Sequence, residues 1–226
     1  MLIIFKQKIY DFMKKLILTA ILLIPFISLK PQGIGELVPE KEPEIFPDNA
    51  FGLDIMFSEG GIGFGTFYRR QLFHNFTAFA DISLSEAKDE REFEYVDYFG
   101  QTYTLGKKNR VFLLPLNFGL QYRLFENVIY DNLRPYVNLG LGPSIVFTTP
   151  YEQEFFDAFG EAKAKYALGG YIGLGANFGL DKSSLIGINF RYYLIHFFDE
   201  GVESLYGRFQ NNLGGFFLTI NLGIMY

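Results

Sequence analysis

The 226-residue chain contains no cysteine and no tryptophan. Without cysteine it can build no disulfide framework, no thiolate-ligated zinc or iron–sulfur centre, no cysteine nucleophile and no lipoprotein anchor. Charge is scarce as well, at 20% of residues, while apolar residues make up 49%. So apolar a chain is not disordered, and its glycines lack the three-residue period of collagen. The length suits one domain of ordinary size, or at most two small ones. What the chain does have is an unusual pairing: 24 glycines beside 27 phenylalanines and 15 tyrosines. A soluble core has little use for that many small residues next to that many rings. A sheet whose two faces meet different solvents has a use for both.

Residues 1–30 read as a secretory signal. Lys14 and Lys15 precede an apolar run from Leu16 to Leu29 broken only by Thr19, Pro25 and Ser28. The run is shorter than the roughly twenty residues of a membrane-spanning helix and fits a signal-peptide core. Met13 is a candidate for the true start, and an uncleaved anchor is the alternative reading of the run. Residues 1–30 carry five lysines and one aspartate, a net +4, so the rest of a chain of net charge −5 stands at −9. An acidic exported protein is a poor partner for nucleic acid. Residues 31–49 follow as an acidic, proline-rich linker with Pro31, Pro39, Pro43 and Pro47 among Glu36, Glu40, Glu42 and Glu44. Proline lacks the N–H for regular pairing, and the like charges repel, so a flexible tether is expected.

From Ala50 onward the chain alternates. In the last segment Phe216, Leu218, Ile220, Leu222, Ile224 and Tyr226 share one parity, and Gly215, Phe217, Thr219, Asn221, Gly223 and Met225 share the other. Successive strand side chains point to opposite faces, so one face is wholly apolar and the other small or polar. The same split runs through the segments around 112–124, 137–147, 166–180 and 186–194. In these five segments the only charged residues, Arg123 and Arg191, fall on the small, polar parity. A soluble sandwich or lipocalin-like barrel also alternates, but its outer face carries Lys and Glu. Here the non-apolar face is Gly and Asn with rare Arg, which fits the crowded lumen of a narrow barrel whose other face meets lipid.

Eight such segments are read: Ala50–Ser58, Gly61–Leu72, Phe73–Ser85, Arg110–Phe125, Arg134–Thr148, Lys165–Leu180, Ser183–Phe198 and Asn211–Tyr226. Each of the longer ones exceeds the 9–11 residues that a tilted strand needs to cross a bilayer. Joints alternate short and long, except for the tight Glu59-Gly60 turn. That alternation gives short periplasmic turns, long external loops and both termini in the periplasm. The fold expected is all-β: a transmembrane, antiparallel, up-and-down β-barrel of eight strands spanning 50–226. Ten is the alternative if Glu92–Phe99 and Gln101–Leu105 join the wall; a hairpin above the membrane is preferred.

On these features the chain resembles the small, eight-stranded bacterial outer-membrane β-barrel family. Its terminal aromatic, preceded by alternating Phe216, Leu218, Ile220, Leu222 and Ile224, resembles the signal read by the barrel-assembly machinery. The resemblance implies a Gram-negative outer-membrane location, with outer-membrane lipid and lipopolysaccharide as surroundings. It names no substrate, because this fold hosts adhesins, lipid-modifying enzymes, small-solute channels and structural proteins.

Three constellations are candidates for function. The first is a set of lumen charges, Asp54, Arg69, Asp81, Arg123 and Arg191, with Arg69 and Arg123 near the periplasmic mouth and Asp81 and Arg191 about midway. Charges in a low-dielectric interior must pair, so Arg–Asp bonding across the lumen is expected, as a plug in preference to a permeation path. The second is His196, outward at the external rim, with Glu203 and Ser204 in the next loop. A lipid A-directed acyl hydrolase would need these brought together; an interfacial aromatic role is preferred. His74, in a short turn, has no evident partner. The third is the external loops: 86–109, with Tyr95, Tyr98 and Tyr103, and 149–164, with Tyr151, Phe155, Phe156 and Phe159 spaced for a turn of amphipathic helix. Acidic, aromatic loops suit an extracellular ligand, or lipopolysaccharide bridged by divalent cations. The Gly-x-Gly runs at 140–142 and 173–175 lie mid-strand and are not phosphate loops. No catalytic residue, metal or cofactor is expected, and the function read is structural or surface-interacting, with a hydrolase or a small-solute channel as alternatives.

Overall fold

The computed structural model describes residues 46–226 other than 90, 101, 127, 130, 131, 180 and 181. The expected signal and most of the expected linker therefore lie outside the described residues. Eight strands form one closed barrel: β1 (Asn49–Ser58), β2 (Gly61–Phe73), β3 (Phe76–Ala87), β6 (Asn109–Arg123), β7 (Arg134–Pro150), β8 (Lys163–Phe178), β9 (Ser184–His196) and β12 (Asn212–Met225). Each pairs antiparallel with its neighbours in that order, and β12 returns to β1, Ala50 opposite Met225 and Phe57 opposite Leu218. Closure leaves the sheet no free end, as hydrocarbon requires, because an unpaired edge there has no water to bond.

The two parities meet different surroundings. Leu53, Phe64, Leu120, Leu141, Ile172, Phe190 and Ile224 are among the outward residues that stand exposed. Asn117, Asn189, Arg191, Thr219 and Asn221 point inward and are buried. On β6 the outward positions between Phe112 and Tyr122 are Leu114, Leu116, Phe118 and Leu120. Ten residues of strand at the tilt of 35–45° usual for such barrels rise about 25 Å, the height of the apolar band of a membrane barrel. Rings mark the band's edges: Phe76 packs on Tyr122 at 4.9 Å near the end bearing the termini, and Tyr192 on Phe216 at 4.8 Å toward the other. The chain is thus a transmembrane antiparallel barrel.

Glycine makes room inside. A Cβ on Gly140 would lie 2.8 Å from the Tyr171 ring and 3.3 Å from the Phe79 ring, so the lumen holds these rings only because the β7 wall is bare there.

The barrel differs from the sequence reading at its margins. The strand begins at Asn49, inside the expected linker, because Asn49 exchanges backbone hydrogen bonds of 3.1 and 2.9 Å with Tyr226. Just before it, the Phe46 ring lies 3.9 Å under the Arg134 guanidinium, and the Asp48 carbonyl accepts from the Gln71 amide at 2.7 Å. The linker's last residues are therefore built into the barrel rim. The described residues of 92–105 do not join the wall; β4 (Glu94–Val96) and β5 (Thr102–Thr104) pair with each other alone. A second small hairpin, β10 (Val202–Leu205) with β11 (Arg208–Gln210), lies in what read as a plain loop.

Candidate functional site

The lumen is stratified. At the end bearing the long loops, Val111, Leu113, Val146, Ile195, Phe197 and Leu213 form an apolar layer, and Val202 of β10 packs onto it as a lid. In the middle lie Met56, Phe79, Tyr171, Tyr193 and Phe217, with Tyr171 and Tyr193 centroids 4.7 Å apart and Tyr193 and Phe217 5.1 Å apart. Among these rings sits the charge centre. Arg191 Nη2 donates to Asp54 Oδ2 at 2.9 Å, and its Nη1 lies 3.8 Å from Asp81 Oδ2. Its guanidinium also stands 5.0 Å over the Tyr171 ring.

Two carboxylates on one guanidinium require further donors. Asp81 accepts from Asn117 Nδ2 at 2.7 Å and from the Tyr171 hydroxyl at 2.8 Å. Asp54 accepts from Asn221 Nδ2, and Asn221 Oδ1 accepts in turn from the Tyr136 hydroxyl at 3.3 Å. Strands β1, β3, β6, β7, β8, β9 and β12 are thus cross-linked through the lumen. Of the five lumen charges read from the sequence, the structure brings Asp54, Asp81 and Arg191 together. The other two stand apart. Arg69 Nη1 donates to Asn177 at 3.2 Å and its guanidinium stacks 4.2 Å over Phe67; Arg123 pairs with Glu126 at 3.3 Å beside the β6–β7 turn. Neither reaches a lumen aspartate, because both lie near the mouth, several residues along the strand from Asp54 and Asp81. The residues that the sequence reading missed are Asn117, Asn221, Tyr136, Tyr171, Tyr193 and Arg134. All six share the inward parity, which was the signal available for them.

His74 does have a partner: its Nε2 lies 3.5 Å from Glu126 Oε1, across two turns that are adjacent in space and distant in sequence. His196, Glu203 and Ser204 do not assemble. His196 Nδ1 bonds Asn212 at 2.7 Å, Ser204 Oγ donates to buried Glu92 at 2.6 Å, and Glu203 accepts from Lys108. The histidine and the serine thus bond to different partners, whereas the hydrolase reading demands that this base and nucleophile bond to each other.

The long loops bond to one another. Lys107 lies 3.0 Å from Glu92 and 3.4 Å from Glu86, and Arg208 lies 2.8 Å from Asp89. The Lys108 amide donates to the Ser204 carbonyl at 2.7 Å, and Lys107 bridges to Leu205. Ion pairs within the 86–109 loop, and between it and the 199–210 loop, therefore knit one cap. A short helix, α1 (Phe155–Ala158), turns outward: Phe159 stacks at 5.8 Å on Phe112, whose ring lies on the outer wall, and Phe155 meets Phe159 at 5.1 Å. Tyr98, Phe99 and Phe156 remain exposed.

Two carboxylates of the cap, exposed Asp199 and half-buried Glu203, are held below their ordinary range. The Lys165 ammonium, with the Gly201 amide, lowers Asp199, and the Lys108 ammonium, with the Gly207 amide, lowers Glu203.

No family model matches the chain, and no curated protein matches it. Solved structures do. Neisserial surface protein A (NspA) shares the fold at a TM-score of 0.53 and 9% identity, over 81% of this chain and 100% of that one. OprG from Pseudomonas aeruginosa (12% identity, 82% and 98% coverage) and Ail, the attachment invasion locus protein of Yersinia pestis (12%, 78% and 95%), match at TM-scores of 0.44 and 0.40. The comparison of fold rests on the first. The architecture is that of the small, eight-stranded outer-membrane barrels.

Removing the cation of the charge centre should cost more than removing the whole centre. Arg191→Met leaves two buried carboxylates unpaired and is expected to lower unfolding free energy in lipid vesicles by about 3–5 kcal/mol. The triple variant Asp54→Asn/Asp81→Asn/Arg191→Met should recover most of that loss. Equal losses in the single and triple variants would contradict the pairing.

A carboxylate lowered by folding stabilises above its ordinary titration range, and that contribution is lost as pH falls below the range. Asp199 Oδ1 and Glu203 Oε1 accept from the Gly201 and Gly207 amides, each at 2.7 Å, so these amides report the titrations. By NMR their shifts should move only below the ordinary carboxylate range, and Lys165→Gln and Lys108→Gln should return the respective midpoints to it. Midpoints already ordinary in the unaltered protein would refute the pairing.

Proposed function

We propose that this chain is an integral protein of the bacterial outer membrane with a structural or surface-interaction role. In this reading its lumen is plugged by side chains, both termini are periplasmic, and the external loops form its contact surface. The observation that carries the reading is the stacking of closures across the lumen. An apolar layer under Val202 lies at the loop end, and a ring and ion-pair layer around Arg191 lies at mid-height, where eight strands enclose little more than side chains can fill.

Orientation follows from the lengths of the joints. The end with tight turns is periplasmic by the rule of such barrels, and the end with the knitted cap is external. The cap supports a contact role because it is pre-ordered by buried ion pairs while Tyr98, Phe99 and Phe156 stay exposed. A partner docking there would pay little loop-ordering entropy. Candidate partners are an extracellular ligand and lipopolysaccharide. NspA, which shares the fold, is by its name a surface protein, which is consistent with this role. The C-terminal Phe216, Leu218, Ile220, Leu222, Ile224 and Tyr226 line the outer face of the strand that closes the barrel, where an assembly machine would engage them. A catalytic role finds no support in the separation of His196 from Ser204.

The plug is tested in planar bilayers. Purified protein that shows heat-modifiable gel mobility should insert without discrete conductance steps, and Val202→Gly combined with Arg191→Ala should create them. Steps from the unaltered protein would assign a solute channel instead.

A further inference from the structure

The end of the barrel bearing the chain termini holds a cavity of about 350 Å³ that neither the plug nor the contact surface uses. Three arginines line it: Arg69 of β2, Arg123 of β6 and Arg134 of β7. Arg69 is only 5% exposed, yet among the described residues its guanidinium makes one hydrogen bond, to the side-chain oxygen of Asn177, and stacks on Phe67 and Tyr136. Among the described residues no carboxylate lies within ion-pairing distance of it. A guanidinium presents five N–H donors, and a buried one without an anion is costly unless a ligand or water supplies acceptors.

Arg123 keeps a donor to spare, and Arg134 packs close by. Arg123 gives one nitrogen to Glu126, while its Nε is buried with no partner among the described residues. Arg134 rests on Phe46 and on the Met225 sulfur at 3.5 and 3.6 Å. Ala50, Leu185 and Met225, clustered with Phe67, give the cavity an apolar wall at the level of Arg69, so it is a vestibule at this mouth. Glycine is not what opens it; the wall is set by long side chains that converge from three strands.

We infer that this vestibule is a binding site for a small oxyanion, a phosphate or carboxylate group held by Arg69 and Arg123. The planar fork of arginine matches both groups in bidentate fashion, and partial burial strengthens each charge-assisted bond. The apolar wall gives the body of an organic anion a surface to lie on. The anion is supplied either by a soluble solute or by the head group of a lipid at the membrane surface. Its entry from the periplasm rests on the orientation proposed above, whereas the site itself rests only on the barrel.

The test is a titration of the full-length barrel in phosphate-free detergent micelles, followed through the arginine Nε–H NMR resonances. Inorganic phosphate and succinate are the probes, with sodium chloride at matched ionic strength as the reference. The Arg69 and Arg123 resonances should shift saturably with phosphate or succinate, and Arg69→Gln should raise the half-saturating concentration about tenfold. A parallel pair of nanodiscs, of phosphatidylcholine alone or with added phosphatidylglycerol, identifies a lipid source if the same resonances move only with the anionic lipid. Resonances that follow neither probe nor lipid beyond the chloride reference overturn the site. Because the unaltered protein is the primary sample, that outcome stands even if Arg69→Gln fails to fold. Loss of the channel-free behaviour in bilayers would leave this result untouched.

Discussion

Everything in this molecule depends on the demand that a backbone crossing hydrocarbon satisfy all of its N–H and C=O groups internally. A single sheet can meet that demand only by closing, and here the closure is the pairing of β1 with β12, from Ala50–Met225 to Phe57–Leu218. Once closed, the sheet has an outside that must be apolar and an inside too narrow for bulky residues on every strand. The glycines and the rings are the two responses to that geometry. Bare wall at Gly140 admits Phe79 and Tyr171, and the rings in turn shield the Arg191 charge centre.

Burying ions in so small a space carries a desolvation cost that only dense bonding offsets. Asp54, Asp81 and Arg191 meet it through Asn117, Asn221, Tyr136 and Tyr171, so that polar cross-links from seven strands converge on one level. A soluble β-barrel would place an oily core there. Here the oily side is outside, and the interior has taken the polar role, which is why the network can serve as a seal. The loops repeat the pattern above the band: acids of one loop meet bases of another, and the result is an ordered cap.

Much of this was legible in the sequence, because strand parity is a local property. Alternation alone separates Ile172 and Leu174 from Gly173 and Gly175, and joint lengths alone order the eight strands. What parity cannot carry is height. Whether Arg69 meets Asp54 or Asn177 depends on the stagger of strands far apart in the chain, a property of the closed barrel. The same limit hid the contact of His74 with Glu126, two turns brought side by side only by closure. It hid the β10–β11 hairpin too, whose strands of four and three residues are too short to show alternation. Arg134 lay at the very start of a segment, where its inward parity with Tyr136 and Asn138 was readable and its role was not.

The account stands on the outer face meeting lipid, and that is directly measurable. Single spin labels at Leu53, Leu120, Leu139, Ile172 and Phe190, one on each of five wall strands, would be compared in reconstituted vesicles with a label at Tyr98 on the cap. The account predicts that collisions with oxygen exceed those with a water-soluble nickel chelate at all five wall positions, and that the order reverses at Tyr98. Wall labels that collide mainly with the nickel chelate would place that face in water and contradict the membrane-spanning barrel.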